Sequence, residues 1–317
     1  MALNKRKFSP NLTTGLGAKA SDTSGRYYRK DGSVNLIRKG VPFFDRFSWY
    51  HTWLSMPRWE FWISLIAFYI ILNIVFALIY YAIGLDHLTG LEKGTHVNNF
   101  MEAFFFSAQT FTTVGYGRVS PVGFLASCVS TFEAFLGLLG FALASGLFYG
   151  RFAKPRPHLY FSDIALLSPY KEGKALMFRT VPFKNNHLTD AEVKLTLGIR
   201  TFENDEWKNN FFPLAVEFNK IDSLVLNWTI VHPINEDSPL YGLSLEKLKE
   251  AKAEVLVLLK AYDEVFASTV VARTSYTAEE FIDNAKFKIM YEPSSSGNST
   301  ILNVDTLNDF ELLDLKR

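Results

Sequence analysis

The densest chemistry in this chain lies in F-T-T-V-G-Y-G, Phe111 to Gly117. A cation stripped of its water needs protein oxygens in place of the lost ones. Main-chain carbonyls can supply them only if successive carbonyls face the same way, and an ordinary extended strand alternates them. Residues in left-handed backbone break that alternation, and Gly115 and Gly117 adopt it without steric cost. On this reading Thr112 to Gly117 form an ion filter in which Thr113, Val114, Gly115 and Tyr116 supply the cation's ligands. Thr113 adds a hydroxyl at the inner end, while Val114 and Tyr116 point away from the ion and pack against helices. One chain builds one wall, so the chemistry demands a ring of copies, four being expected. The plain alternative is a flexible turn between two helices.

A loop at membrane depth is tolerated only where protein or a water-filled path surrounds it. The flanking sequence supplies that setting. Trp59 to Ile83 is apolar except for Glu60 and Asn73, and is bracketed by Trp and Tyr residues of the kind that anchor at an interface. A bilayer-spanning helix needs about 20 such residues. Val122 to Phe152 is a second span, rich in small residues that let helices approach closely, with one acid, Glu133. Between them, Asn98 to Phe111 is apolar but too short to cross, and predicts a re-entrant half-helix whose negative C-terminal end faces the ion path. Arg38, Lys39, Arg46 and Arg58 precede the first span and Arg151, Lys154 and Arg156 follow the second. Only Lys93 and Arg118 lie between. The excess of cations on one side places both termini in the cytoplasm.

T-V-G-Y-G is itself a known signature of potassium filters, which points to potassium as the ion. A wider resemblance adds to it. "RYYRKDGSVNLIRKG", "AFFFSAQTFTTVGYG", "GRFAKPRP", "WTIVHPINEDSPLYG" and "ARTSYTAEE" resemble the prokaryotic inward-rectifier potassium channels, from about Tyr27 to the C-terminal region. The filter alone would fit any potassium channel, whereas "FAKPRP" followed by "HPINEDSPLYG" is specific to inward rectifiers. The resemblance implies an α + β membrane protein: a two-span pore-loop channel with an interfacial slide helix and a cytoplasmic immunoglobulin-like β-sandwich, assembled as a homotetramer in the cell (inner) membrane. The corresponding boundaries are an N-terminal segment 1–42, a slide helix 43–57, a pore domain 58–153 and a β-sandwich 154–317. Within the pore domain lie an outer helix 59–84, a pore helix 98–111, the filter 112–117 and an inner helix 122–152.

The sequence beyond the spans agrees. "FFDRFSWYHTWLSM", Phe43 to Met56, mixes aromatics with charges as an interfacial helix does. From His158 onward, Val193, Leu195, Leu197 and Ile199 alternate, and Val, Leu and Thr runs are broken by Pro, Asn and Asp, the pattern of a β-sandwich. "LSLEKLKEAK" predicts one short helix capped by Ser244. His158, His187 and His232 are scattered and read as structural. No nucleophile–base pair, phosphate loop or metal-ligand spacing appears, so the chain reads as no enzyme and no cofactor is expected beyond potassium as the permeant ion.

Glu133, Gly137, Phe141, Ser145 and Tyr149 recur every four residues and predict one stripe of the inner helix. By resemblance Gly137 is a hinge, Phe141 stands where strong rectifiers place an acid, and Tyr149 closes the pore where inner helices cross. The plain reading of the stripe is helix-on-helix packing. With no acid at Phe141, block by Mg2+ or polyamines is expected to be weak, and Ba2+ is a further expected blocker. Glu133 is either a functional group by virtue of its membrane depth or a buried hydrogen-bond partner behind the filter. Gln109 replaces the family's usual pore-helix Glu, and Arg118 follows the filter where relatives often have Asp, so both bear on filter support. The resemblance also places Asp190 in a cytoplasmic vestibule and Val265, Phe266, Ala267, Ser268 and Thr269 in a loop narrowing the lower pore. It assigns Arg58, Lys154 and Arg156 to anionic lipid head groups. Positive-inside topology alone explains the same three cations.

The totals set the outer bounds. The chain has 317 residues, a net charge of +1, 48% hydrophobic residues, 15% aromatics and 29 Phe. That mixture fits a membrane part joined to a water-soluble part, and the near-neutral charge argues against nucleic-acid binding. One cysteine, Cys128, excludes an intrachain disulfide framework and reads as a small buried apolar residue. "MALNKRKFSP" is basic with no apolar run after it, so it does not read as a signal peptide; the polar stretch to about Ser24 predicts a mobile tail. Two other classes stand beside the potassium channel: a less selective monovalent cation channel, and a membrane-anchored β-sandwich binding module whose spans are only anchors.

Overall fold

A computed structural model describes residues 26–37, 39–40, 42, 48–92, 94–184, 187–203 and 206–313. The expected tail to about Ser24 lies outside the described residues, as do 43–47 of the expected slide helix. The chain forms two compact units, one of residues 39–154 and the other joining the N-terminal segment to 155 onward.

The first unit is helical. A short helix α1 (Trp49–Ser55) precedes α2 (Arg58–Ile83), which starts directly after Pro57 and stops at Gly84, held at φ 109°. Helix α3 (His96–Phe111) begins two residues before the expected start because Thr95 caps it, its side chain accepting from the Asn98 N–H. Helix α4 (Phe124–Phe152) begins two residues later than expected, after Gly123 at φ 88°. Both α2 and α4 are long and apolar enough to cross a membrane. A two-residue strand β1 (Leu88–Thr89) pairs antiparallel with β2 (Ser120–Pro121), tying the loop after α2 to the segment after the filter.

Cys128 is exposed on α4, not buried as the sequence suggested. The correction has a simple cause. A membrane helix needs no protein partner for an apolar side chain, because lipid is as apolar as a core.

The second unit is a β-sandwich. One sheet holds β6 (Leu188–Glu203), β7 (Glu206–Leu214), β8 (Lys220–Ser223), β10 (Glu254–Asp263) and β11 (Ser268–Thr277), in the order β11-β10-β6-β7 with β8 on β6. The other holds β3 (Leu159–Phe161), β4 (Ala165–Tyr170), β5 (Gly173–Pro182), β9 (Trp228–Ile234) and β12 (Phe281–Asp283), in the order β12-β4-β5-β3 with β9 on β5. Val193, Leu195, Leu197 and Ile199 all fall in the core with Leu176, Phe178, Val255, Val257 and Ile230. Helix α5 (Leu245–Glu250) is capped by Ser244, which accepts from the Lys247 N–H.

The N-terminal segment is part of this unit. The Glu254 carboxylate accepts from the Tyr27 and Tyr28 N–H groups, and the Arg26 guanidinium donates to the Ser275 carbonyl at 2.6 Å and pairs with Glu280 at 2.9 Å. Burial pushes the Glu254 carboxyl up, while those hydrogen bonds hold it down. Lys30 lies 3.9 Å above the Tyr276 ring. Gly32, at φ 79°, sits so close to the Arg273 carbonyl that a Cβ would approach its oxygen to 2.4 Å.

The "HPINEDSPLYG" stretch is a folded corner around His232. With Nδ1 protonated, the ring donates to the Ala215 carbonyl at 2.5 Å, and Nε2 accepts from the Ser238 hydroxyl at 2.7 Å, whose oxygen accepts from the Leu240 N–H. Burial pushes the His232 imidazole down, so the folded state refuses a proton that the unfolded imidazole accepts near pH ~6.5. The stability this contributes is present above that pH and is lost as pH falls through it. Thermal unfolding of the full chain at pH 7.5 and 5.5 tests this: the melting temperature drops on acidification, and His232→Gln shows a smaller drop over the same interval.

Candidate functional site

The segment expected to be the filter is hydrogen-bonded back to the end of α3, the helix that precedes it. At its inner end, Thr113 N–H donates to the Thr110 carbonyl, and the Gln109 carbonyl accepts from Val114 at 2.9 Å and from Gly115 at 3.3 Å. The Thr112 hydroxyl donates to the Ala108 carbonyl. Support from Gln109 therefore comes through its backbone.

Left-handed backbone occurs at Thr113 (φ 59°), Gly115 (φ 51°) and Gly117 (φ 81°), alternating with Val114 and Tyr116, which do not adopt it. Alternating hand is what turns successive peptide groups to one side. Sequence reasoning anticipated the two glycines and missed Thr113, since a β-branched residue at positive φ is disfavoured. Its hydrogen bond to Thr110 holds it there. Nothing in the local sequence signals this except the periodicity of two that Gly115 and Gly117 set.

Val114 and Tyr116 are exposed in the single chain, Tyr116 by 78%. Beyond the filter, Arg118 pairs with Glu102 of α3 at 2.6 Å and approaches Glu92 at 3.8 Å.

Behind the filter, α2, α3 and α4 meet at a buried polar cluster. The Tyr80 hydroxyl donates to Glu133 Oε2 at 2.6 Å. The Ser107 hydroxyl lies between Glu133 Oε1 and Asn73 Oδ1, and Asn73 donates to the Tyr69 carbonyl at 2.7 Å. Asn73, Ser107 and Glu133 are all fully buried. Glu133 thus joins all three helices. Asn73, an apparent blemish in an apolar span, is the partner that sequence reasoning did not assign.

The four-residue stripe on α4 divides. Glu133 and Gly137 are buried, whereas Phe141, Ser145 and Tyr149 are exposed, Tyr149 by 78%. Steps of four on a 3.6-residue helix drift by about 40° each, so the five residues turn gradually from one face to another. Gly137 lies against the end of α3: a Cβ there would come within 1.9 Å of the Phe111 carbonyl oxygen. That carbonyl is one of those a helix leaves without an intrahelical donor. Thr112, Thr113, Tyr69, Gly137 and Phe141 line a groove of about 730 Å³ where α2, the end of α3 and α4 meet.

The remaining sequence-predicted positions lie elsewhere. Arg58 opens α2, while Lys154 and Arg156 follow α4 in successive units, all three exposed. Arg151 differs from them, donating to the carbonyls of Trp53 at 3.0 Å and Met56 at 2.5 Å, where it caps α1. Asp190 sits at φ 51° and pairs with Lys220 at 2.9 Å. Val265, Phe266 and Ala267 form the hairpin between β10 and β11, with Ser268 and Thr269 opening β11. Asp263 Oδ1 accepts from the Val265 and Phe266 N–H groups at its base. No group of three or more potential metal-ligating His, Cys, Asp or Glu occurs among the described residues.

Two family models match this chain. One, inward rectifier potassium channel C-terminal domain, covers residues 159–312; the other, ion channel, covers residues 68–153. The chain is 33% identical over 292 residues to the inward rectifier potassium channel Kirbac3.1 of Paramagnetospirillum magnetotacticum, covering 90% of this chain and 96% of that one. It is 32% identical over 287 residues to the mouse G protein-activated inward rectifier potassium channel 4, covering 83% of this chain and 67% of that one. To human inward rectifier potassium channel 4 it is 32% identical over 219 residues, covering 63% of this chain and 47% of that one.

Two outcomes follow from the packing behind the filter. Gly137→Ala forces α4 away from Phe111 and lowers stability by roughly 1–3 kcal/mol, whereas Gly146→Ala, with nothing within 4 Å of its Cβ, changes it by under about 0.5 kcal/mol. Glu133→Leu strands the Tyr80 hydroxyl, while Ser107 keeps Asn73, and costs roughly 1–3 kcal/mol, while Glu133→Gln costs less. Thermal unfolding of the purified protein in lipid nanodiscs measures both. A silent Gly137→Ala would show that the contact is loose.

Proposed function

This chain belongs to the inward-rectifier potassium channel family, and on that premise we propose that it conducts potassium passively through a pore assembled from four copies. The observation that carries the reading is the alternation of backbone hand at Thr113, Gly115 and Gly117. A chain with that alternation presents carbonyls to one side, and four such chains around an axis enclose a file of oxygen cages. The carbonyls of Thr113, Val114, Gly115 and Tyr116, with the Thr113 hydroxyl, replace the ion's water. How cavity size and carbonyl field strength divide the discrimination is debated. The C-terminal end of α3 adds partial negative charge near the inner ion site.

Below the filter the pore is apolar. Phe141, exposed on α4, puts a ring where strong rectifiers place an acid, so block by Mg2+ and polyamines is weak and rectification from the cavity is slight. Tyr149 closes the inner end and Gly137 fixes the upper inner helix. Asp190 and the Val265–Thr269 hairpin line the cytoplasmic part of the pore, where the Lys220 partner offsets part of the Asp190 charge. The channel sits in the cell membrane with both termini in the cytoplasm. Anionic head groups bind Arg58, Lys154 and Arg156 and couple lipid composition to gating; Arg151, committed to α1, takes no part. A less selective monovalent cation channel is the second reading, favoured by the neutral Gln109.

Rubidium uptake into vesicles of defined lipid, with sodium competition and Ba2+ block, tests the assignment. Absence of uptake under every lipid composition, with intact tetramers, overturns it, and sodium competing as well as potassium selects the second reading. Neutralising Arg58, Lys154 and Arg156 together abolishes any dependence on anionic lipid. Phe141→Asp lowers the half-blocking spermine concentration by roughly tenfold or more, equivalent to ~1.4 kcal/mol; strong spermine block of the unaltered channel would contradict the reading of Phe141.

A further inference from the structure

Between the N-terminal segment and the β-sandwich lies a cavity of about 210 Å³ that conduction does not use. Four cations line it: Arg26 of the segment, Arg200 of β6, Lys249 of α5 and Lys252 of the turn after α5. They come from three separate stretches of the chain, so the fold alone brings them together. The backbone holds two of these stretches in place. The Arg200 N–H donates to the Ala251 carbonyl at 2.9 Å, and the Lys252 N–H to the Lys249 carbonyl at 3.0 Å. Lys252 keeps a left-handed backbone there, at φ 46°, which is disfavoured for a residue with a side chain.

Like charges gathered around one cavity repel, and the acids at hand offset only part of the charge. Glu280 pairs with Arg26 at 2.9 Å. Glu279 pairs with Lys249 at 3.1 Å, but its side chain is 72% exposed, and a pair so open to water is weak. Glu254 also lines the cavity, yet its carboxylate accepts from the Tyr27 N–H at 2.8 Å and from the Tyr28 N–H. Its charge is thus already committed to the backbone of the N-terminal segment. Among the described residues Lys252 forms no ion pair.

This set of donors suits a tetrahedral dianion. A guanidinium fork grips two oxygens of a phosphate, and an ammonium takes another as a point charge. A monocarboxylate brings one charge and two oxygens, too few for two guanidiniums and a lysine. We propose that the cavity is an anion site that takes a phosphate group, free or carried as a monoester, and that the occupant bridges Arg26 to Arg200 and Lys252. The bridge ties the N-terminal segment to β6 and to the turn after α5, beyond its bonds to Glu254 and Ser275. The site shares no residue with Arg58, Lys154 and Arg156, and it does not depend on which ion the pore conducts.

The full chain in phosphatidylcholine nanodiscs is titrated calorimetrically with inorganic phosphate at pH 7.5, against chloride at matched ionic strength. Amide exchange of residues 26–30 is followed on the same samples. Phosphate binds saturably and slows exchange of that segment, and chloride does neither. Lys252→Gln weakens binding about tenfold, the scale of one charged hydrogen bond, while Lys252→Arg retains it. Glu279→Gln, which releases Lys249, tightens binding about threefold, the scale of an exposed ion pair. A gain in affinity cannot come from a damaged fold. Nanodiscs containing phosphatidic acid offer the same group on a lipid. Protection of residues 26–30 there without added phosphate, lost in Lys252→Gln, assigns the occupant to the membrane; protection by free phosphate alone assigns it to the solution. Phosphate that acts no better than chloride overturns the site, as does saturable binding that ignores both Lys252→Gln and Glu279→Gln.

Discussion

A backbone whose carbonyls all face an ion cannot hold itself together. In a helix or a sheet, each carbonyl that takes a hydrogen bond helps fix the next residue. In the proposed filter those carbonyls are committed to the pore, and only N–H groups on the other side remain for the protein. Three of them, on Thr113, Val114 and Gly115, are taken by carbonyls of the last turn of α3. The position of α3 therefore decides the position of the filter, and the packing of the membrane unit can be understood as the means of fixing α3.

That packing uses polar groups where a soluble core would use apolar ones. Lipid gives helices no hydrophobic reason to associate, so close contact and buried hydrogen bonds carry the association. Asn73, Tyr80, Ser107 and Glu133 supply the hydrogen bonds. Gly137 supplies the close contact, with the end of α3 packed against its bare Cα. Aromatic rings fill the remaining spaces, Tyr80 on Phe106 at 5.0 Å and Tyr69 on Phe111 at 5.9 Å between ring centres. The β-sandwich follows the opposite rule. Its core is mostly aliphatic, with a few rings such as Phe178 and Tyr276, and its buried His232 and Glu254 sit where a loop or the N-terminal segment is pinned to it.

How much of this was legible in the sequence depended on whether a signal was local. The filter glycines, the two long apolar runs and the alternation from Val193 to Ile199 are local patterns, and each corresponds to a feature of the fold. Ser244 as a cap and Glu133 as a buried partner were legible for the same reason, since a cap and a lone membrane acid each violate a short-range expectation. Contacts between distant residues were not. The Arg118–Glu102 pair joins residues 16 apart, and Arg26 reaches Ser275 and Glu280 across 249 and 254 residues. Neither has a periodicity to betray it. Gly137 was visible as a small residue, but its resemblance to a hinge obscured the nearer fact that another backbone occupies the place of its side chain. The stripe on α4 passes from a buried face to an exposed one, since a step of four overshoots a 3.6-residue turn.

The N-terminal segment shows why such distant contacts matter for a channel of this kind. Residues 26–35 are fastened to β11 by Arg26 at Ser275 and by the Ser275 hydroxyl, which donates to the Tyr28 carbonyl at 2.7 Å. Glu254, at the start of β10, holds Tyr27 beside it. Strands β10 and β11 pair without interruption from Glu254 and Thr277 to Asp263 and Ser268, where the Val265–Ala267 hairpin turns. The stretch leading toward α1 and the hairpin assigned to the lower pore are thus attached to opposite ends of one two-stranded ribbon. A ribbon of ten residue pairs is stiff along its length, because sliding it by one residue would turn every inward side chain outward. The N-terminal segment and the Val265–Ala267 hairpin thus share one continuous pair of strands, although no local pattern in the sequence links them.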